Sequence, residues 1–140
     1  MQNFLSLHDY EAFIYGLPQQ YPSLFYSKLL IARRGMGTAV VSGDAVFSGG
    51  IRLSMNEQLM FDDGVWRIVR YSYEVWRNTE KLYWYDPQPH PNDPTLVSTH
   101  PHHKHIPPDI KHHRVPAPGL SFTEPNLPFL IAEIEQNLLS

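Results

Sequence analysis

Residues 51–61 carry Ile51, Leu53, Met55, Leu59 and Phe61 at alternate positions, with Arg52, Ser54, Asn56 and Gln58 between them. Side chains of an extended chain point alternately to opposite faces, so the pattern predicts a strand with one buried face and one wet face. Strands of that kind belong to antiparallel sheets. Residues 65–76 repeat the period through Val65, Val69, Tyr71, Tyr73 and Val75, and Asp62-Asp63-Gly64 between the two runs has hairpin-turn chemistry. Residues 82–85 read as a short aromatic strand and residues 38–47 as another, while residues 24–32 fit strand or helix. Turn residues at Gly35-Met36-Gly37, Gly49-Gly50 and Arg77-Asn78-Thr79-Glu80 keep the connections short. Short connections join antiparallel neighbours. The expected sheet is a single four- to five-stranded antiparallel meander over residues 23–86.

A helix is expected at each end, which makes the fold class α+β. In residues 1–20, Tyr10, Phe13, Ile14 and Leu17 fall on one helical face, Ser6 or Asp9 offers an N-cap, and Gly16-Leu17-Pro18 stops the helix. In residues 126–139, Leu130, Ile131, Ile134 and Leu138 share a face, with Asn126 as the expected cap and Pro128 tolerated in the first turn. A length of 140 residues suits one domain, 1–140. No apolar run approaches the roughly 18 residues of a membrane helix, and Met1-Gln2-Asn3-Phe4 has no basic lead into an apolar stretch. The expected setting is therefore cytoplasmic, without a membrane partner.

Glu57 interrupts the apolar face of residues 51–61, and is expected at a sheet edge or paired with Arg67 or Arg70. Arg33-Arg34 reads as a solvated strand end, and Trp66, Trp76 and Trp84 as core or sheet cover. Gly49-Gly50 lacks a following Lys-Ser/Thr, which excludes a phosphate loop.

Residues 86–123 differ from the rest. Seven of the eight histidines lie between His90 and His113, and eleven of the thirteen prolines lie between Pro87 and Pro128. Proline fixes φ and removes a donor, so a long irregular loop is expected, of the kind that usually carries function. With no cysteine in the chain, any metal must be held by His, Asp or Glu. Charged residues are 18% and the net charge is −3, which argues against a disordered chain and against a strongly basic nucleic-acid surface. Within residues 86–116, Asp86, Asp93 and Asp109 balance Lys104, Lys111 and Arg114, so histidine protonation sets the local charge.

Three roles fit this segment. In extended chain, His100 with His102, or His103 with His105, could share a side and bind a divalent transition metal, with Asp86 or His90 completing the shell. His100, His102 and His105 are the candidate ligands; no closed spacing motif selects among them. The second role is acid–base chemistry on a phosphodiester, with imidazoles as acid and base and Lys104 or Arg114 as the cation. Tyr71, Tyr73, Tyr83 and Tyr85 of the neighbouring sheet could stack bases. In the third, imidazoles simply bond backbone carbonyls while the loop wraps the sheet.

Tyr71-Ser72-Tyr73, then Tyr85-Asp86 with Pro89-His90, then Pro101-His102-His103-Lys104-His105, in that order, resembles the TumE family associated with bacterial toxin–antitoxin pairs. The resemblance covers residues 51–106; His100, His112-His113 and the tail Ala117–Pro128 lie outside it. It implies a toxin neutralised by an antitoxin with a helix-turn-helix domain. RNA as the target follows only by analogy with other small toxins. The expected catalytic residues are then His102, His103, Lys104 and His105, with Tyr71, Tyr73, Tyr85, Asp86 and His90 in binding. The second functional reading is a non-catalytic module, metal-stabilised or protein-binding, whose imidazoles hold the loop.

Overall fold

The computed structural model describes residues 6–139. The alternation in residues 51–61 becomes β4 (Ile51–Asp62), which pairs antiparallel with β3 (Thr38–Phe47) on one side and β5 (Val65–Arg77) on the other. Asp63 and Gly64 both have positive φ, 52° and 82°, and close the β4–β5 hairpin in the twist its strands require. Beyond β5 the sheet continues through β6 (Glu80–Asp86), β7 (His103–His105) and β8 (Arg114–Pro116). Residues 24–33 form two short strands, β1 (Leu24–Ser27) and β2 (Leu30–Arg33), which both pair with β3.

The sheet thus has eight strands, where the sequence pattern predicts four or five. Three-residue strands such as β7 and β8 are too short to show a period, and prolines surround both. For the same reason the expected irregular loop over residues 86–123 is partly ordered, with a 3-10 helix over Pro94–Thr99 as well as the two strands.

One face of the sheet is covered by helices. Ser6 caps α1 (Leu7–Tyr15) by accepting from the Asp9 N–H, and after the break at Gly16 one further turn, α2 (Leu17–Gln20), begins with Pro18 in its first turn. Leu7, Tyr10, Phe13, Ile14 and Leu17 of this pair join Leu127, Leu130, Ile131 and Ile134 of α3 (Leu127–Asn137) in one core with the inward side chains of β3, β4 and β5. Asn126 precedes α3 but does not cap it with its side chain. Its Oδ1 accepts from the Ser121 N–H, and its Nδ2 donates to the Ser121 carbonyl and to the Tyr73 hydroxyl.

The predicted inward set of β5 is only half right. Between Gln58 and Leu59 the β4–β5 register slips by one residue, so Gln58 faces Arg70 while Leu59 faces Ile68. The bulge reverses the phase of a period-two pattern. Ile68 is therefore buried, Val69 is only partly covered and Val65 is exposed; Phe61, at the far end of β4, is exposed as well.

Glu57 lies neither at an edge nor beside an arginine. It is fully buried, and its two carboxylate oxygens accept from Tyr10 of α1 and Tyr73 of β5, each at 2.5 Å. Burial pushes its pKa up to about 7, against the opposing effect of both tyrosine hydrogen bonds. A carboxyl whose pKa is higher in the folded than in the unfolded chain stabilises fully below the unfolded value, and loses that stability as pH rises through the folded one. Urea unfolding is therefore expected to show the protein roughly 2–3 kcal/mol less stable at pH 8 than at pH 5 from this group alone. Glu57→Gln should flatten that slope; an equal slope in both proteins would exclude Glu57 as its source.

Candidate functional site

Pairing of β6 with β7 sets Asp86 opposite His103, Tyr85 opposite Lys104 and Trp84 opposite His105. The pleat then sorts these residues. Tyr85 and Lys104 point to the helix-covered side, where the Lys104 ammonium lies 3.0 Å from Glu133 of α3 and the Tyr85 hydroxyl donates to the same carboxylate at 2.8 Å. Trp84, Asp86, His103 and His105 point to the other side. The indole of Trp84 stacks flat on His105, with ring centroids 3.8 Å apart.

On that side four ligand-type atoms from three side chains meet. Asp86 Oδ1 is 3.0 Å from His103 Nε2, Asp86 Oδ2 is 3.4 Å from His105 Nε2, and the two Nε2 atoms are 3.1 Å apart. Both imidazoles are buried, with relative exposures of 1% and 3%. Their far nitrogens are tied to the backbone. His103 Nδ1 lies 3.1 Å from the Pro101 carbonyl, and His105 Nδ1 lies 3.0 Å and 3.2 Å from the carbonyls of Ile110 and Lys111. A carbonyl oxygen only accepts, so both Nδ1 atoms donate, and both Nε2 atoms are turned toward Asp86. The centre needs a positive charge there, either a proton shared with Asp86 or a metal ion.

The surroundings agree with that demand. Burial opposes ionisation of Asp86, but the His103 hydrogen bond, the Gln88 N–H and the charges of both imidazoles outweigh it and hold the carboxyl below its ordinary range. Burial lowers the pKa of His105, although Asp86 acts in the opposite direction. His90 packs edge-on against His103 at 4.9 Å, and burial together with the nearby Arg114 lowers its pKa.

Two openings flank Asp86. The β5–β6 pairing begins only at Tyr73–Tyr85, so residues 69–72 border a gap instead of a strand. It forms an open, largely apolar cleft of about 600 Å³, walled by Tyr71, Trp84, Pro87, Pro101 and Phe122, with Arg70 at its side. The second is a recess of about 220 Å³ over the centre, bordered by His90, His105, Lys111, His112 and Arg114.

The structure brings together some of the sequence candidates and separates others. Asp86, His103 and His105 converge, with His90 beside them. His102 points the other way: its Nδ1 lies 2.6 Å from the Tyr71 hydroxyl, and its ring packs on Phe122 at 4.5 Å. Burial, then the neighbouring His103 and His100, lowers the His102 pKa. His100 is exposed, so the expected ligand set His100, His102 and His105 is not assembled; alternate residues of β7 share a side, and His102 and His105 are three apart. Lys104 is on the wrong face to act with the pair. Tyr73 and Tyr85 are buried on Glu57 and Glu133 and cannot stack a base; Tyr71 borders the cleft but is itself buried, at 5% exposure. Sequence reasoning gave Trp84 and Phe122 no role in the site, and Phe122 has no periodic or motif signal that could have placed it.

A family model described as Toxin TumE matches residues 19–138. The match reaches well past residues 51–106, and it takes in His112-His113 and the tail. No curated protein and no solved structure is significantly similar to the chain.

The placement of Lys104 is testable by stability. Lys104→Met should remove the partner of the half-buried Glu133 and lower stability by about 1–2 kcal/mol. An unchanged urea midpoint would show that the ion pair does not help to dock α3.

Proposed function

Since the chain belongs to the TumE toxin family, we propose that it is the toxin half of a toxin–antitoxin pair, that it acts on RNA, and that Asp86, His103 and His105 form its working centre. The observation that carries this reading is the convergence of three side chains, each within 3.4 Å of both others through polar atoms, between an aromatic cleft and a cation-rimmed recess. Trp84 and Phe122, both partly exposed beside the cleft, offer flat apolar surface to unpaired bases, the usual mode of recognising single-stranded RNA. Lys111 and Arg114 offer positive charge to a phosphate at the recess. The net charge of −3 does not oppose this, because the rim cations and histidines are concentrated in one place.

In the proposed reaction the centre draws the proton from a ribose 2′-hydroxyl, and the 2′-oxygen attacks phosphorus. The bond to the 5′-oxygen breaks, and that oxygen takes a proton from His90 at the rim. Arg114 and Lys111 offset the charge that develops on the phosphoryl oxygens. Neutralisation by an antitoxin with a helix-turn-helix domain belongs to the same proposal. Among the described residues no helix is long and apolar enough to cross a membrane.

Induced expression of the wild-type chain is expected to arrest growth, and Asp86→Asn or His103→Ala to relieve the arrest. Cleavage of single-stranded RNA by the purified protein should fall by about a hundredfold or more in the same variants, the range of a lost acid–base group. Arrest by both variants at wild-type levels, with circular dichroism confirming their folds, would favour imidazoles that only hold the loop. A wild-type chain that neither slows growth nor binds RNA would end the toxin reading.

A further inference from the structure

We propose that Asp86, His103 and His105 bind one divalent transition-metal ion, with the remaining coordination position open to the recess lined by His90 and Arg114. The geometry carries the inference. Ligand atoms about 2.0–2.1 Å from a zinc ion at tetrahedral angles stand about 3.3–3.4 Å from one another. Here the two Nε2 atoms are 3.1 Å apart and each faces a different oxygen of Asp86, at 3.0 and 3.4 Å, with one ligand atom from each residue within 4.8 Å of the others, so an ion enters with a small turn of the carboxylate. No other group of three His, Asp or Glu side chains among the described residues converges in this way.

The outer shell is also in place. A metal-binding imidazole usually donates its second N–H to a carbonyl or carboxylate, which fixes the tautomer and aims the lone pair at the metal. Pro101 does this for His103, and Ile110 with Lys111 for His105. The Gln88 N–H, 2.9 Å from Asp86 Oδ1, and the flat face of Trp84 against His105 hold the other parts still. A single proton satisfies the centre less well. Placed on His103 Nε2 it serves Asp86, but it leaves the His105 lone pair without a donor of its own. An ion engages all three side chains together. Imidazole nitrogen with one carboxylate oxygen suits zinc, nickel, cobalt or iron rather than calcium or magnesium, which prefer all-oxygen shells.

The test uses the untagged full-length chain, dialysed against a chelator and titrated with zinc by calorimetry and with cobalt(II) by visible absorption. One ion per chain is expected, with a cobalt spectrum of low coordination number. Asp86→Asn and His103→Ala should each weaken zinc binding by at least about a hundredfold, more than the loss of an outer-shell partner usually costs. A variant carrying His100→Ala and His113→Ala should bind as wild type does. Substoichiometric binding, or binding that only the surface variant loses, would overturn the site, as would full affinity in Asp86→Asn. Asp86→Asn conserves shape and decides the matter if His103→Ala does not fold. Because no growth or RNA assay enters these readouts, the metal site can fail while the toxin reading stands, and the reverse.

Discussion

Hydrogen bonding between β6 and β7 is the constraint on which the candidate site depends. It places Asp86 across from His103 and Trp84 across from His105, and the pleat does the sorting. Of the four consecutive residues from His102 to His105, two are sent to the centre and two to the opposite side. His102 is engaged by Tyr71 and Phe122, and Lys104 by Glu133. A slip of one residue in this pairing would exchange those sets and dismantle the centre. The carbonyls of Pro101, Ile110 and Lys111 fix the rings from behind, so the surrounding chain, rich in proline, acts as a frame for two imidazoles.

That frame hangs on a sheet whose other face is locked by a second polar cluster. Glu57 accepts from Tyr10 and Tyr73, and Asn126 donates to Tyr73, so one buried carboxyl links α1, β4, β5 and the start of α3. Buried polar groups are costly unless each is satisfied, and here each partner comes from a different element. The same helix carries Glu133 to Lys104 and Tyr85. The two sides of β7 are therefore supported independently, one by the helix layer and the other by loop carbonyls.

Much of the fold could be read from residue patterns. The alternation in residues 51–61, the Asp63-Gly64 turn and the apolar faces of both terminal helices depend on local periods and turn chemistry, which survive in any compact packing. What escaped were features without a local signal. The bulge opposite Gln58 and Leu59 changes which valines face inward, and three-residue strands carry no period. For the site, the residue types and the pairing of His103 with His105 at alternate positions were legible, and so was Asp86 as a partner. Which histidines would converge was not legible, because spacing alone does not say where extended chain begins.

The chain's own composition and order settled that a metal or proton centre would have to use imidazole and carboxylate, and that these groups would lie between His90 and His113 or near Asp86. They also settled an antiparallel sheet with one apolar face, since period-two burial requires it. Tertiary structure alone decided which histidines meet, which tyrosines are buried and which one borders a cleft. Those outcomes depend on strand register and on long-range partners: Glu57 with Tyr10, Lys104 with Glu133, Ile68 with the backbone of Phe122. Contacts between residues tens of positions apart are set by how elements pack, and no local pattern records them.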